Sequence, residues 1–167
     1  MRFPSLAYGL VLVLTWLDAA QAASWANYRD PASRYTIDLP ADSFTPTNTP
    51  AQLDHVTLAE RAGNAVIDVY SGSNTKHLSP AGFIRQLSRA PRIADITYKA
   101  VGPTWFAISG HYSRDADETG TLIYYAKFVF STDLSRFAAF EISYSVEERS
   151  RMDPIVIHLE KTLNLSR

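Results

Sequence analysis

Apolar and polar residues alternate with a period of two along most of this chain, which is the pattern of half-buried β-strands. Residues 25–28 and 34–39 read as strands on either side of a turn at Asp30, Pro31 and Ala32. His55–Glu60 and 65–71 (AVIDVYS) are β-type runs split by Gly63 and Asn64, which predicts a hairpin. Residues 96–101 and 105–112 repeat this arrangement around Gly102 and Pro103. The longest pair is 121–130 (TLIYYAKFVF) with 136–144 (RFAAFEISY). Residues 40–50 (PADSFTPTNTP) read as a surface loop between strands.

The run 121–130 places two faces. Leu122, Tyr124, Ala126, Phe128 and Phe130 share one, and Ile123, Tyr125, Lys127 and Val129 share the other. A strand that is apolar on both faces is covered on both sides, with Lys127 snorkelling out. Two segments can supply helices. Ser79 and Pro80 are a cap followed by proline at the first helical position. Phe83, Ile84, Leu87 and Ala90 then form a stripe that Pro91 ends. Asp153 and Pro154 make a second such start, with Ile155, Val156, Leu159, Thr162 and Leu163 on one face. Ser145 and Glu148 also fit a capping box, which would start this helix earlier and make Pro154 a kink. The expected fold class is α+β: an antiparallel sheet of about seven strands covered by two helices.

The first 22 residues follow a different pattern. Arg2 precedes a twelve-residue apolar run, 6–17 (LAYGLVLVLTWL), followed by small residues at Ala20 and Ala22. This is the pattern of a cleaved secretory signal peptide. Twelve helical residues reach about 18 Å, short of the ~30 Å of a bilayer core. The expectation is a signal at 1–22, a single α+β domain at 23–167, no stable membrane span after cleavage, and a periplasmic or secreted location.

Charge and cysteine usage narrow the function further. The formal net charge is −1 and basic residues are interleaved with acidic ones, which argues against a nucleic-acid partner. Arg85, Arg89 and Arg92 read as a solvated helix face. The chain has no cysteine, so disulfides, zinc–thiolate sites and thiol nucleophiles are excluded.

Candidate chemistry is sparse. The histidines, His55, His77, His111 and His158, lie far apart in sequence, so no metal site is expected. Asp115, Asp117, Thr119 and Gly120 match positions 1, 3, 5 and 6 of a calcium loop, but position 12 is Ala126 where a bidentate Glu is needed. The segment reads as a hairpin tip, with Asp115 and Asp117 as candidate ligands of a weakly held cation. Ser109 and His111 share a strand face, yet the sequence places no acid to orient the imidazole. Gly110 between them marks a bulge or a close backbone approach. There is no G-x-S-x-G motif and no Gly-rich phosphate loop. Trp105 at the head of its strand, with His111 and Tyr112 at the far end, is a candidate binding surface. No cofactor is expected.

Three stretches carry a family resemblance. Tyr35-Thr-Ile-Asp-Leu-Pro40 is followed by Phe44. Val66-Ile-Asp-Val69 leads through a polar loop to the Ser79 helix. Ile123-Tyr-Tyr125 and Phe140-Glu-Ile-Ser-Tyr144 are followed by residues 154–163. In this order the elements resemble the PsbP-like α/β/α sandwich superfamily, which includes exported bacterial members of unassigned function. The resemblance implies a docking or assembly role and carries no catalytic residue. The expected function is therefore a non-enzymatic module that binds a protein or envelope component. The alternatives are a small-ligand or lipid carrier, which needs an apolar pocket of at least ~300 Å³ between sheet and helix, and an envelope hydrolase assembled in space.

Overall fold

The computed structural model describes residues 24–30, 35–47 and 55–165. Residues 1–23, which hold the run read as a signal peptide, and the turn residues Pro31 and Ala32 lie outside them. The described strands are β1 (Trp25–Arg29), β2 (Tyr35–Pro40), β3 (Phe44–Pro46), β4 (His55–Glu60), β5 (Val66–Ser73), β6 (Tyr98–Val101), β7 (Trp105–His111), β8 (Leu122–Phe130), β9 (Arg136–Ser145) and β10 (Asn164–Leu165). Helix α1 (Pro80–Leu87) follows β5, and α2 (Arg149–Thr162) follows β9 after a 3-10 turn at Val146–Glu148.

Seven strands form one antiparallel sheet in the order β3-β4-β5-β9-β8-β7-β6, while β1, β2 and β10 form a second, three-stranded sheet. The class is the α+β one expected, but the first two strands leave the large sheet. Its seventh strand is instead β3, inside the segment read as a loop. Phe44 is buried there and Pro46 sits on a sheet edge, where its missing N–H costs nothing.

The large sheet is covered on both faces, as the pattern of β8 requires. One face carries Ile67, Val69, Ile123, Phe140 and Ile142. It packs against Tyr35, Ile37 and Leu39 of β2 and against Met152, Val156, Leu159 and Leu163 at α2. The other face carries Phe106, Ile108, Tyr124, Ala126 and Phe128 under α1. Phe83 of α1 lies within 6.1 Å of the rings of Phe106, Phe128, Phe130 and Phe137.

Both helix starts are instructive. The Ser79 side chain accepts from Gly82 N at 3.2 Å with Pro80 at the first helical position, as the sequence predicts. The helix ends at Leu87, so Ala90 falls beyond its stripe. α2 begins four residues before Asp153 and takes in Pro154. The early start lets it bury Met152 completely, at the cost of the one hydrogen bond that proline cannot donate. Ser145 makes no capping bond, because the 3-10 turn separates it from α2. Glu148 instead receives Arg151 Nη2 at 2.6 Å, and Arg151 also pairs with Glu60 on β4.

Candidate binding groove

The cover over the first face does not reach the β6 edge. α2 stops above Lys127 on β8, whose Nζ donates to the Glu160 carbonyl at 2.7 Å and lies 3.8 Å from the Glu160 carboxylate. That carbonyl belongs to the last turn of α2, where backbone acceptors lack intrahelical partners and a cation meets the negative end of the helix dipole. Lys127 is therefore anchored beneath the helix end rather than snorkelling freely. Burial pulls its pKa below the ordinary lysine value, against the pull of Glu160.

Beyond this point lies a groove of about 550 Å³ between α2 and the β6–β7 end of the sheet. Tyr98, Ser109 and Tyr125 are register partners across β6, β7 and β8. The small Ser109 lets the two tyrosine rings approach to 6.3 Å at an interplanar angle of 23°. Tyr125 in turn lies 6.1 Å from buried Phe140 at 21°. A row of near-parallel rings thus runs from the sheet edge into the core. Burial, and then the neighbouring Glu160, raise the pKa of Tyr125. The opposite wall is α2, with Asp153, Ile157 and Glu160. Tyr98, Val146 and Ile157 are 48%, 47% and 48% exposed, so the rim presents apolar surface to solvent.

The residues singled out from the sequence do not converge on one place. His111 lines the groove. Trp105 shares its face of β7 but lies six residues away, about 20 Å along the strand. Its ring packs over Gly102 and sits 5.5 Å from Lys127 Nζ. Tyr112 turns to the opposite face and donates its hydroxyl to Glu141 Oε1 at 2.7 Å. Asp115 is exposed, whereas Asp117 is buried and knits its own loop together. The Asp117 carboxylate accepts from Thr119 N at 3.1 Å and Leu122 N at 2.7 Å. The Thr119 hydroxyl and the Leu122 amide lower its pKa. Among the described residues no group of three or more His, Asp or Glu is placed to hold a metal ion.

The acid missing beside His111 is Asp95, whose Oδ1 lies 3.0 Å from His111 Nδ1 and accepts the His111 backbone N–H at 2.9 Å. Ser109 Oγ has no hydrogen bond to this ring among the described residues, so the pair orients an imidazole without activating the serine.

A second polar cluster on the other face escaped the sequence reading. Arg92 lies beyond α1 and is not part of a helix face. It clamps Glu141 with both terminal nitrogens, Nη2 at 2.7 Å from Oε2. Directly across from Glu141 in β5 is Asp68, which accepts from Thr57 Oγ1 at 2.7 Å and contacts His55 Nε2 at 2.9 Å. The Thr57 hydroxyl meets the same ring nitrogen at 3.2 Å. A nucleophile relay needs the acid and the hydroxyl on opposite nitrogens, so this trio is a structural network. One sequence signal pointed to it: a charged residue inside the apolar run 136–144, which requires a buried partner.

The sequence matches no protein-family profile and no curated protein. The fold does have solved counterparts. The Ran-binding protein Mog1p of Saccharomyces cerevisiae superposes with a TM-score of 0.58 at 10% identity, covering 86% of this chain and 96% of its own. Cyanobacterial PsbP (CyanoP) of Synechocystis superposes with a TM-score of 0.54 at 8% identity, covering 92% of this chain and 99% of its own. Identities of this size carry the fold and no residue's role. Sheet order, helix placement and these superpositions establish that the chain has the PsbP-like α+β sandwich fold.

Proposed function

We propose that this protein is an exported, non-enzymatic accessory module that binds another protein through the groove beside β6. The observation that carries the reading is the half-exposed apolar rim of Tyr98, Val146 and Ile157 around an aromatic floor. Aromatic surface with a polar surround is the make-up of protein contact sites. The fold is shared with a Ran-binding protein, which supports a binding role. The unactivated Ser109 supports the non-enzymatic part. The apolar run at 6–17 supports export to the periplasm or beyond.

A photo-crosslinking amino acid placed at Tyr98 or Ile157 in the native host tests this directly. The same adduct, identified by mass spectrometry from both positions and absent from an exposed site such as Lys76, is the expected result. No adduct from either groove position would sink the docking reading. N-terminal sequencing of the same protein tests export: a mature chain beginning at Ala23 is expected, and an intact Met1 counts against it.

A carrier role has one observation in its favour, since the groove exceeds the ~300 Å³ that a small ligand needs. Its walls, however, include Arg149, Asp153, Glu160 and three tyrosines, which suit a polypeptide better than a lipid chain.

A further inference from the structure

Among the described residues β6 ends the large sheet, and its outer side carries no strand. Its hydrogen-bonding direction follows from its pairing. Gly102 N donates to Trp105 O, and antiparallel partners alternate, so Ala100 and Tyr98 also turn their backbone groups toward β7. The N–H and C=O of Lys99 and Val101 therefore point away from the sheet. This is a vacant row of donors and acceptors whose complement is an extended backbone. The opposite edge is blunted, since β3 has three residues and ends in Pro46. β6 has no proline, and Tyr98 and Val101 on it are each about half exposed.

Resting on the docking reading above, we infer that the partner enters as an eighth strand: an extended polypeptide segment that pairs antiparallel with β6 and sends alternate side chains into the groove. The two faces specify its sequence pattern. Lys99 and Val101 share the α1 face, so residues opposite them call for an acidic and an aliphatic side chain. Tyr98 and Ala100 share the groove face, bordered by Asp153 and Glu160 on α2. The cations near those two carboxylates stand at 4.0 and 3.8 Å, close enough to share them but not to saturate them. A lysine and a leucine on that side of the incoming strand match the acidic wall and Ile157.

The probe is the peptide acetyl-Thr-Val-Lys-Glu-Leu-Thr-amide, in which Val faces Val101 and Glu faces Lys99. Its control has the same side chains but is N-methylated at Val and Glu, the two backbone donors that would reach β6. Amide hydrogen exchange of the purified protein is read residue by residue. The proposal expects the peptide to slow the Lys99 and Val101 amides at least tenfold, to leave Ala100 as it was, and to lose the effect on N-methylation. Shifts at Tyr98 and Ile157 without slower exchange, or equal binding by the methylated control, would overturn strand addition and leave the docking reading standing. No perturbation at millimolar peptide overturns strand addition too, and the crosslinks at Tyr98 and Ile157 then decide the docking reading separately. Protection that grows with protein concentration in the absence of peptide would assign the edge to a second copy of this chain instead.

Discussion

Trp25 lies flat against His158, their ring centroids 3.7 Å apart and their planes 13° from parallel. His158 Nε2 is also 3.2 Å from Asp38 Oδ2, and Asn27 donates to the other oxygen of that carboxylate at 2.7 Å. The contact fastens β1 to α2, two elements 120 or more residues apart, through side chains alone. Stacked aromatic pairs are worth about 0.5–1.5 kcal/mol beyond their burial. A double-mutant cycle of Trp25→Ala and His158→Ala, read by urea denaturation, should give a coupling energy in that range. Additive losses would show that the two rings merely lie side by side.

The Arg92–Glu141 clamp makes a prediction about order of damage. The Glu141 side chain is only 9% exposed, whereas that of Arg92 is 46% exposed. Arg92→Ala would leave a buried carboxylate held, among the described residues, only by the Tyr112 hydroxyl and should destabilise by about 2–3 kcal/mol, less than a fully buried pair because water reaches the site. Arg92→Leu with Glu141→Leu should recover most of the loss. If the double variant is as unstable as Arg92→Ala, the penalty comes from lost packing and not from an orphaned charge.

Alkaline pH tests the burial of the tyrosines. Burial raises the pKa of Tyr70, Tyr112 and Tyr125 above the ordinary tyrosine value, and that of Tyr124 to about 12. The folded state thus keeps these phenols protonated where the unfolded chain ionises them, near pH 10. Stability from this source is complete below about pH 10 and is lost as the pH rises toward the folded-state values. Tyrosinate absorbance should therefore rise late and together with unfolding. Full ionisation of all the tyrosines while the far-ultraviolet circular dichroism stays native would contradict the packing described.

Asn74 is buried and makes three side-chain bonds, to Leu78 O at 2.9 Å, to Leu134 O at 2.7 Å and from Leu78 N at 3.1 Å. It joins the approach to α1 with the turn between β8 and β9. Asn74→Ala should cost about 2–3 kcal/mol, because two carbonyls lose their donor. Asn74→Asp keeps the size but turns an acceptor toward those carbonyls, and should cost more. Equal melting temperatures for the two variants would deny the amide this role.

Local features were readable in the sequence and distant ones were not. The Ser79 cap, the two covered faces of β8 and the hairpins all follow from residues within one or two turns of each other. Gly110 belongs here as well: a Cβ at that position would strike the Asp95 carbonyl, the close approach that the glycine signals. β3 was missed because three residues are too few to show a period. The division into two sheets was missed because β2 takes β10 as a neighbour from the far end of the described chain, and no periodicity encodes that choice. Arg92 and Glu141 are 49 residues apart, so the apolar run around Glu141 shows that it needs a partner, but nothing local shows that Arg92 is that partner.

The pairing of Tyr35 and Thr36 with Leu165 and Asn164 sets an order of events. The β8–β9 hairpin needs only a five-residue connection and can close early, on a microsecond scale. The three-stranded layer must wait for the last residues of the described chain, since its third strand is β10. We therefore expect Tyr35, Ile37 and Leu39 to receive their full cover after the large sheet has assembled, because loop-closure entropy disfavours so distant a pairing; pulse-labelling exchange in which β2 amides become protected as early as those of β8 would count against this order.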